Sequence, residues 1–174
     1  MLRQTPWLER SFNFDFPAGL YPCLLERLRG TPARVEEMVY GIDELLLRRK
    51  QDNGWSVKEQ IGHFTDLEPL HEGRLDDFIA GKQMLRAADM LNKESHAANH
   101  NDRPLEILLQ NFRHARMTFV SRLENADDSL VVSTSLHPRL QSLMRMVDMI
   151  YFTCEHDDHH LAKIRALIIH PLPS

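Results

Sequence analysis

Three imidazoles fall within five residues in the run Cys154-Glu155-His156-Asp157-Asp158-His159-His160-Leu161. On an α-helix His156 and His160 stand one turn apart on the same face, the spacing at which two imidazoles grip one metal ion. At about one hundred degrees per residue, that face also carries Met149, Phe152, Thr153, Ile164 and Leu167, so the pair points inward. Two imidazoles in an apolar lining are costly unless each finds a partner, and a divalent cation with one further ligand satisfies both. The same spacing also suits two core or groove histidines bonded to their neighbours, and spacing alone leaves both readings open.

A third ligand has to come from another helix. His63 lies two turns into a helix that starts at Ser56, on the edge of a face made by Phe64, Leu67 and Phe78. His71 lies nearer the centre of that face, so position does not favour His63. The two cannot share an ion, because eight residues of helix separate them by roughly 12 Å. His159 can orient a ligand, line a pocket or replace His160 at i+3. Asp157 and Asp158 read as carboxylates facing solvent, with support of a ligand as the lesser alternative. His96 and His100 repeat the i, i+4 spacing in a stretch without an apolar face, and read as surface histidines on a loop that can fold over a pocket mouth. His114, His137 and His170 have no companion at ligand spacing and read as ordinary. Cys154 falls on the far side of its helix from His156, which argues for packing rather than ligation. Met144, Met146 and Met149 read as core filling. Nucleophile-elbow, phosphate-loop and dinucleotide-binding patterns are absent from the sequence.

The elements that must position these residues are helical, since apolar residues recur at intervals of three and four between sparse glycines and prolines. The pattern predicts an all-α four-helix bundle in one domain spanning 1–174, with an aromatic N-terminal arm over 1–17. A first helical region begins after Pro17-Ala18-Gly19 and is interrupted at Gly30, where Thr31-Pro32 offers a new start for a helix reaching Lys50. Gln51 to Gly54 form a turn. Ser56-Val57-Lys58-Glu59 has the form of a capping box and opens a helix to Ala80, kinked at Pro69 and ended by Gly81. Residues 82–102 read as a long crossover loop with a short helical turn. Asp102-Arg103-Pro104 opens a third helix carrying Leu105, Leu108, Leu109, Phe112, Phe119 and Leu123. Residues 125–138 read as a loop, and a last helix spans Ser142 to Ile168.

A chain of 174 residues with 43% hydrophobic and 26% charged residues can bury its own core, and its net charge of -4 offers no basic field for nucleic acid or an anionic membrane. Cys23 and Cys154 form no C-x-x-C pair, which fits a reducing compartment and makes the cytoplasm the expected location. Met1 to Phe16 lacks the continuous apolar run of a signal peptide or membrane span. Trp7, Phe12, Phe14 and Phe16 make the arm too aromatic to stay loose, and leave open whether it packs on its own bundle or across a dimer.

Trp55-Ser56-x-x-Glu59-x-x-Gly62-His63 in the second helix, together with His156-x-x-His159-His160 near the end of the last, resembles the DinB/YfiT-like superfamily of four-helix-bundle metal-dependent proteins. The resemblance extends over nearly the whole chain. It implies a divalent ion, commonly zinc or nickel, on His63, His156 and His160, with open positions filled by water. It also implies a homodimer, a small-molecule substrate and, in some relatives, transfer or isomerisation with a low-molecular-weight thiol such as bacillithiol, glutathione or mycothiol. Three protein ligands with open positions suit catalysis, because the ion lowers the pKa of a bound water or thiol. Thiol-dependent transfer is therefore the activity expected first and hydrolysis second, with a non-catalytic, stress-associated metal-binding or interaction protein as the alternative. Protons compete with the ion below about pH 6.5, so metal-linked stability should shrink on acidification.

Overall fold

The computed structural model describes residues 4–51 and 54–169. Helix α1, Tyr21–Val39, buries Leu24, Leu28, Val35 and Val39 along one face. The break expected at Gly30 and Pro32 does not occur. A proline inside a helix costs about 3 kcal/mol, but each buried Val or Leu on either side returns roughly 1.5–3 kcal/mol, so the continuous apolar face wins. Thr31 is not a cap: its hydroxyl donates to Asp157 Oδ2 at 2.8 Å. Nor does a helix run unbroken to Lys50. The chain turns at Gly41, whose φ of +69° favours glycine, and the short helix α2, Glu44–Arg48, follows with Asp43 as its cap.

Helix α3, Val57–Ile79, starts with the expected capping box: Ser56 Oγ accepts from the Glu59 amide at 3.2 Å and Glu59 Oε2 from the Ser56 amide at 2.9 Å. Pro69 lies inside α3 without ending it, and Gly81, at φ +63°, follows its end. The expected crossover carries α4, Lys93–Ala97, and a 3-10 turn at His100–Asp102. Helix α5, Leu105–Glu124, comes next.

The segment read as the loop 125–138 holds a short helix, α6, Asp128–Val132, and a strand, β1, Thr134–His137. Strand β1 pairs antiparallel with β2, Ser142–Arg145, with Thr134 opposite Arg145 and His137 opposite Ser142. The last helix, α7, Met146–Ile169, therefore begins four residues after the predicted Ser142. A short apolar run fits either period, and the Asp148 carboxylate, accepting from the Arg145 amide at 2.8 Å, sets the boundary.

The four long helices form a ring in the order α1, α5, α3, α7. Contacts Phe64–Phe112, Glu68–Arg116 and His71–Phe119 advance together, so α3 and α5 run parallel. Thr31–Asp157 and Arg34–Asp158 follow Leu24–Cys154, so α1 and α7 are parallel too. The two pairs oppose each other, as Gln60–His160 and Arg74–Met149 show for α3 and α7. A connection between parallel α3 and α5 must return the full length of α3, roughly 35 Å for its span.

That return path explains two glycines. A Cβ on Gly73 would lie 1.9 Å from the Arg86 guanidinium and one on Gly62 would lie 2.2 Å from the His100 ring. The crossover thus passes Gly73 first and Gly62 second, in the order its direction requires. Two apolar clusters fill the bundle, one around Leu28, Phe119, Met146 and Ile150 and one around Val35, Phe64, Phe112 and Ile164. Between them lies a polar layer in which buried Arg116 donates to Glu68 Oε1 at 2.7 Å and to both oxygens of Asp157. The arm packs on its own bundle, with Trp7 5.0 Å from Phe152 and Phe16 5.2 Å from Tyr151 between ring centres. Among the described residues, no helix is long and apolar enough to cross a membrane.

Candidate metal centre

Helix α3 brings His63 to the pair on α7. One nitrogen from each of His63, His156 and His160 lies within 4.8 Å of the other two. The Nε2 atoms of His156 and His160 are 3.1 Å apart, near the spacing of about 3.3 Å between two imidazole ligands of one tetrahedral ion.

For His160 and His63, hydrogen bonds on the opposite ring nitrogen fix which atom is free to ligate, while His156 Nδ1 is buried without a partner. Gln60 Oε1 lies 2.5 Å from His160 Nδ1, so a carbonyl acceptor places the proton on Nδ1 and leaves the Nε2 lone pair open. Ser95 Oγ donates to Asp66 Oδ2 at 2.7 Å and therefore accepts from His63 Nδ1 at 2.9 Å, which again leaves Nε2 open. Asp66 Oδ2 also accepts from His100 Nε2 at 2.8 Å. Burial raises the Asp66 pKa, but the bonds from His100 and Ser95 prevail and hold it below the usual carboxylate range. Burial pushes His63 down to about 4 and holds His156 and His160 well below the ordinary imidazole value. All three rings are therefore neutral near pH 7, the form in which imidazole donates a lone pair to a cation. Such carbonyl and hydroxyl partners orient metal-ligating histidines and fix their tautomers. The donor set thus fits a divalent ion.

The three rings lie in one wall of a cleft of about 700 Å3, also lined by Trp7, Trp55, His71, His137, Arg139 and Lys163. His71, nearer the centre of its face, is buried, stacks 5.8 Å from Phe119 and lines the cleft, yet stays outside the three-nitrogen set. His159 lines the cleft 5.4 Å from the His160 ring, pushed down to about 4 by burial. His96 is exposed and meets Trp55 at the cleft, so the crossover does border the opening. His114 is exposed and His170 lies outside the described residues.

Three expectations are corrected. His100 is not a surface residue: it is 3% exposed, because Gly62 leaves a slot for its ring and Asp66 supplies an acceptor. His137 is not ordinary, being 1% exposed with its ring on the cleft. Asp157 does not face solvent. Fully buried, it accepts from Arg116 of α5 and Thr31 of α1, since a quarter turn from His156 points it into the bundle axis. Asp158 is partly exposed and pairs with Arg27 and Arg34. Cys154 packs as expected, buried beside the Leu24 carbonyl with its thiol pushed up to about 12 by burial. The residues that sequence reasoning missed are Gln60, Asp66, Ser95 and His100. Gln60 and Asp66 stand three residues before and after His63, a helical spacing that marks them; Ser95 and His100 arrive only through the crossover.

Residues 27–164 match the family model described as the DinB superfamily, and the chain belongs to that superfamily. A protein of Halalkalibacterium halodurans named "Putative metal-dependent hydrolase BH0277" is 27% identical over 173 residues, covering 88% of this chain and 96% of that one. YfiT from Bacillus subtilis, described as "a probable metal-dependent hydrolase with an unusual four-helix bundle topology", superimposes with a TM-score of 0.75 over 91% of each chain at 17% identity. The likeness to YfiT shows a shared fold.

Proposed function

We propose that this protein holds one divalent ion, zinc or nickel, on His63, His156 and His160 and hydrolyses a small molecule bound in the cleft. The observation that carries this reading is the convergence of three neutral imidazole nitrogens within 4.8 Å in the wall of that cleft. The name of the Halalkalibacterium halodurans relative agrees with it. When bound, such an ion polarises a water, thiol or carbonyl oxygen. The chain itself contributes orientation and shape. Gln60 and Ser95 aim two of the rings, Trp55 packs against His63 at 4.6 Å, and Trp7 covers His156 at 5.0 Å. Neutral His71 and His159 border the same space and can hydrogen-bond a bound substrate there.

Thiol-dependent transfer is the second reading, favoured by the scarcity of carboxylates at the cleft. Among the described lining residues the acidic one is Asp89, whose oxygens accept from the Leu91 and Lys93 amides. A thiol made acidic by a metal needs no carboxylate base, and neither cysteine lines the cleft, so the thiol would be a cosubstrate. Assembly as a homodimer belongs to the same proposal, and sedimentation of the full chain checks it.

Metal analysis of untagged protein should give one divalent ion per chain and a substoichiometric level in His160→Ala. Ester and amide substrates assayed with and without glutathione or bacillithiol then separate the activities. Turnover without thiol supports hydrolysis, and turnover only with thiol replaces it by transfer. Metal retention with neither activity contradicts both in favour of a non-catalytic protein.

A further inference from the structure

We infer that the cleft carries an oxyanion-binding subsite formed by Arg74, Arg139 and His137, which selects substrates bearing a carboxylate or phosphate at the end remote from the three-histidine centre. The inference deepens the proposed function, since it names the substrate class of that cleft.

Arg74, on α3, is 3% exposed and lines the cleft. Its Nε donates to the Arg86 carbonyl at 3.2 Å and its Nη1 faces Met149 Sδ at 3.8 Å. Among the described residues no carboxylate bonds to it. Asp77, the acid whose charge acts on it, is saturated by Lys82, by the Arg86 guanidinium and by the Arg86 amide. Arg139 enters from the β1–β2 turn. Its guanidinium lies 5.8 Å from the centre of Trp7 and 5.5 Å from that of Phe152, and its buried Nη2 has no hydrogen-bond partner. His137 completes the group. Its Nδ1 accepts from the Leu140 amide at 3.2 Å, so the proton sits on Nε2, which is buried without an acceptor.

Two donors without acceptors, Arg139 Nη2 and His137 Nε2, and the Arg74 guanidinium without a carboxylate partner thus border one end of a cleft. A buried guanidinium without a counter-ion is costly, and an oxyanion satisfies it with charge-assisted, two-pronged hydrogen bonds. The electrostatics agree: burial lowers Arg74 to about 10 with Arg139 adding to the effect, and burial with both arginines pushes His137 down to about 4. The subsite sits at the level of Met149 and Phe152 on α7, one to two turns before His156 and two to three before His160. That places the anion roughly 10 Å from the three imidazoles along the helix axis. A ligand spanning both ends is therefore a short linear or aromatic acid whose reacting bond lies several bonds from its charge. Trp7 links the two ends physically, since it touches His156 as well as Arg139.

Octanoate, octyl phosphate and octan-1-ol are the probes, titrated calorimetrically into full-length protein stripped of metal with a chelator. At least one anion should bind about tenfold more tightly than the alcohol, and whichever anion binds better identifies carboxylate or phosphate as the group accepted. Arg139→Gln should erase that advantage. Arg74→Gln should do the same, with unchanged circular dichroism showing that each variant is folded. Equal binding of alcohol and anions, binding of neither anion, or unchanged anion affinity in both folded variants overturns the inference. Because metal is absent throughout, failure here leaves the three-histidine reading intact, and failure of that reading, scored by zinc retention, leaves this result intact.

Discussion

His63 and His160 are aimed by neighbours rather than by their own helices alone. Gln60 Oε1 and Ser95 Oγ hold the protons on the two Nδ1 atoms, so both Nε2 lone pairs face the shared point. Partners of this kind are worth about 10- to 100-fold in metal affinity. Ser95→Ala should therefore weaken zinc binding by at least about tenfold while leaving the helix content intact, as competition with a chromogenic chelator would report; unchanged affinity would show that the Ser95–Asp66 link has no part in holding the ion. The His156–His160 pair was legible because i, i+4 spacing is a property of the helix. Position on α3 did not favour His63 over His71, which lies nearer the centre of the face, since amphipathicity orders residues by depth while the choice depends on what α7 places opposite. Asp157 was misjudged for a related reason: an acid on a helix is usually solvated, and its partner Arg116 is remote in sequence.

Helix α3 owes its place to the segment that crosses it. Parallel packing of α3 and α5 forces residues 80–104 back along the helix, and Gly62 and Gly73 leave the slots through which His100 and Arg86 pass. Gly62→Ala would put a methyl group 2.2 Å from the His100 ring, which must move and drag Ser95 away from His63. The expected result is a melting temperature lower by several degrees, from roughly 1–3 kcal/mol of strain, together with weaker zinc binding. A loss of stability with zinc affinity preserved would separate the crossover from the site. Capping chemistry made the start of α3 readable to the residue, whereas Gly30 and Pro32 signalled a break that the buried face of α1 overrides. The hairpin stayed hidden because Ser142–Arg145 is too short for its period to be told from a helix.

Across the whole molecule, a polar layer divides the core, with one cation, Arg116, set between two acids, Glu68 and Asp157. The imbalance is relieved at Glu68, where burial outweighs the attraction of Arg116 and pushes the pKa up from 4.5 to about 7. Glu68 therefore binds its proton more tightly in the folded chain than in the unfolded one. Its contribution to stability is complete below about pH 4.5 and is lost as the pH rises through 7. The buried histidines act oppositely. With folded pKa values held below the ordinary 6.5, they favour unfolding as the pH falls from there toward 4. Glu68→Gln keeps an acceptor for Arg116 and removes the titration, so it should remove the fall in melting temperature that Glu68 contributes between about pH 4.5 and 7 and leave the slope below about pH 4 unchanged. Parallel loss in wild type and variant over that range would place the titration elsewhere. Composition foretold a chain able to fill its own core, but the ion triad spans α3, α5 and α7 and has no local signature.

The convergence of His63, His156 and His160 on one divalent ion is tested most directly by anomalous diffraction from crystals of untagged protein grown without added metal. A single peak about 2.1 Å from one nitrogen of each ring is the expected result. A metal peak elsewhere in the molecule, or none at this point even after soaking with zinc and nickel, would contradict it.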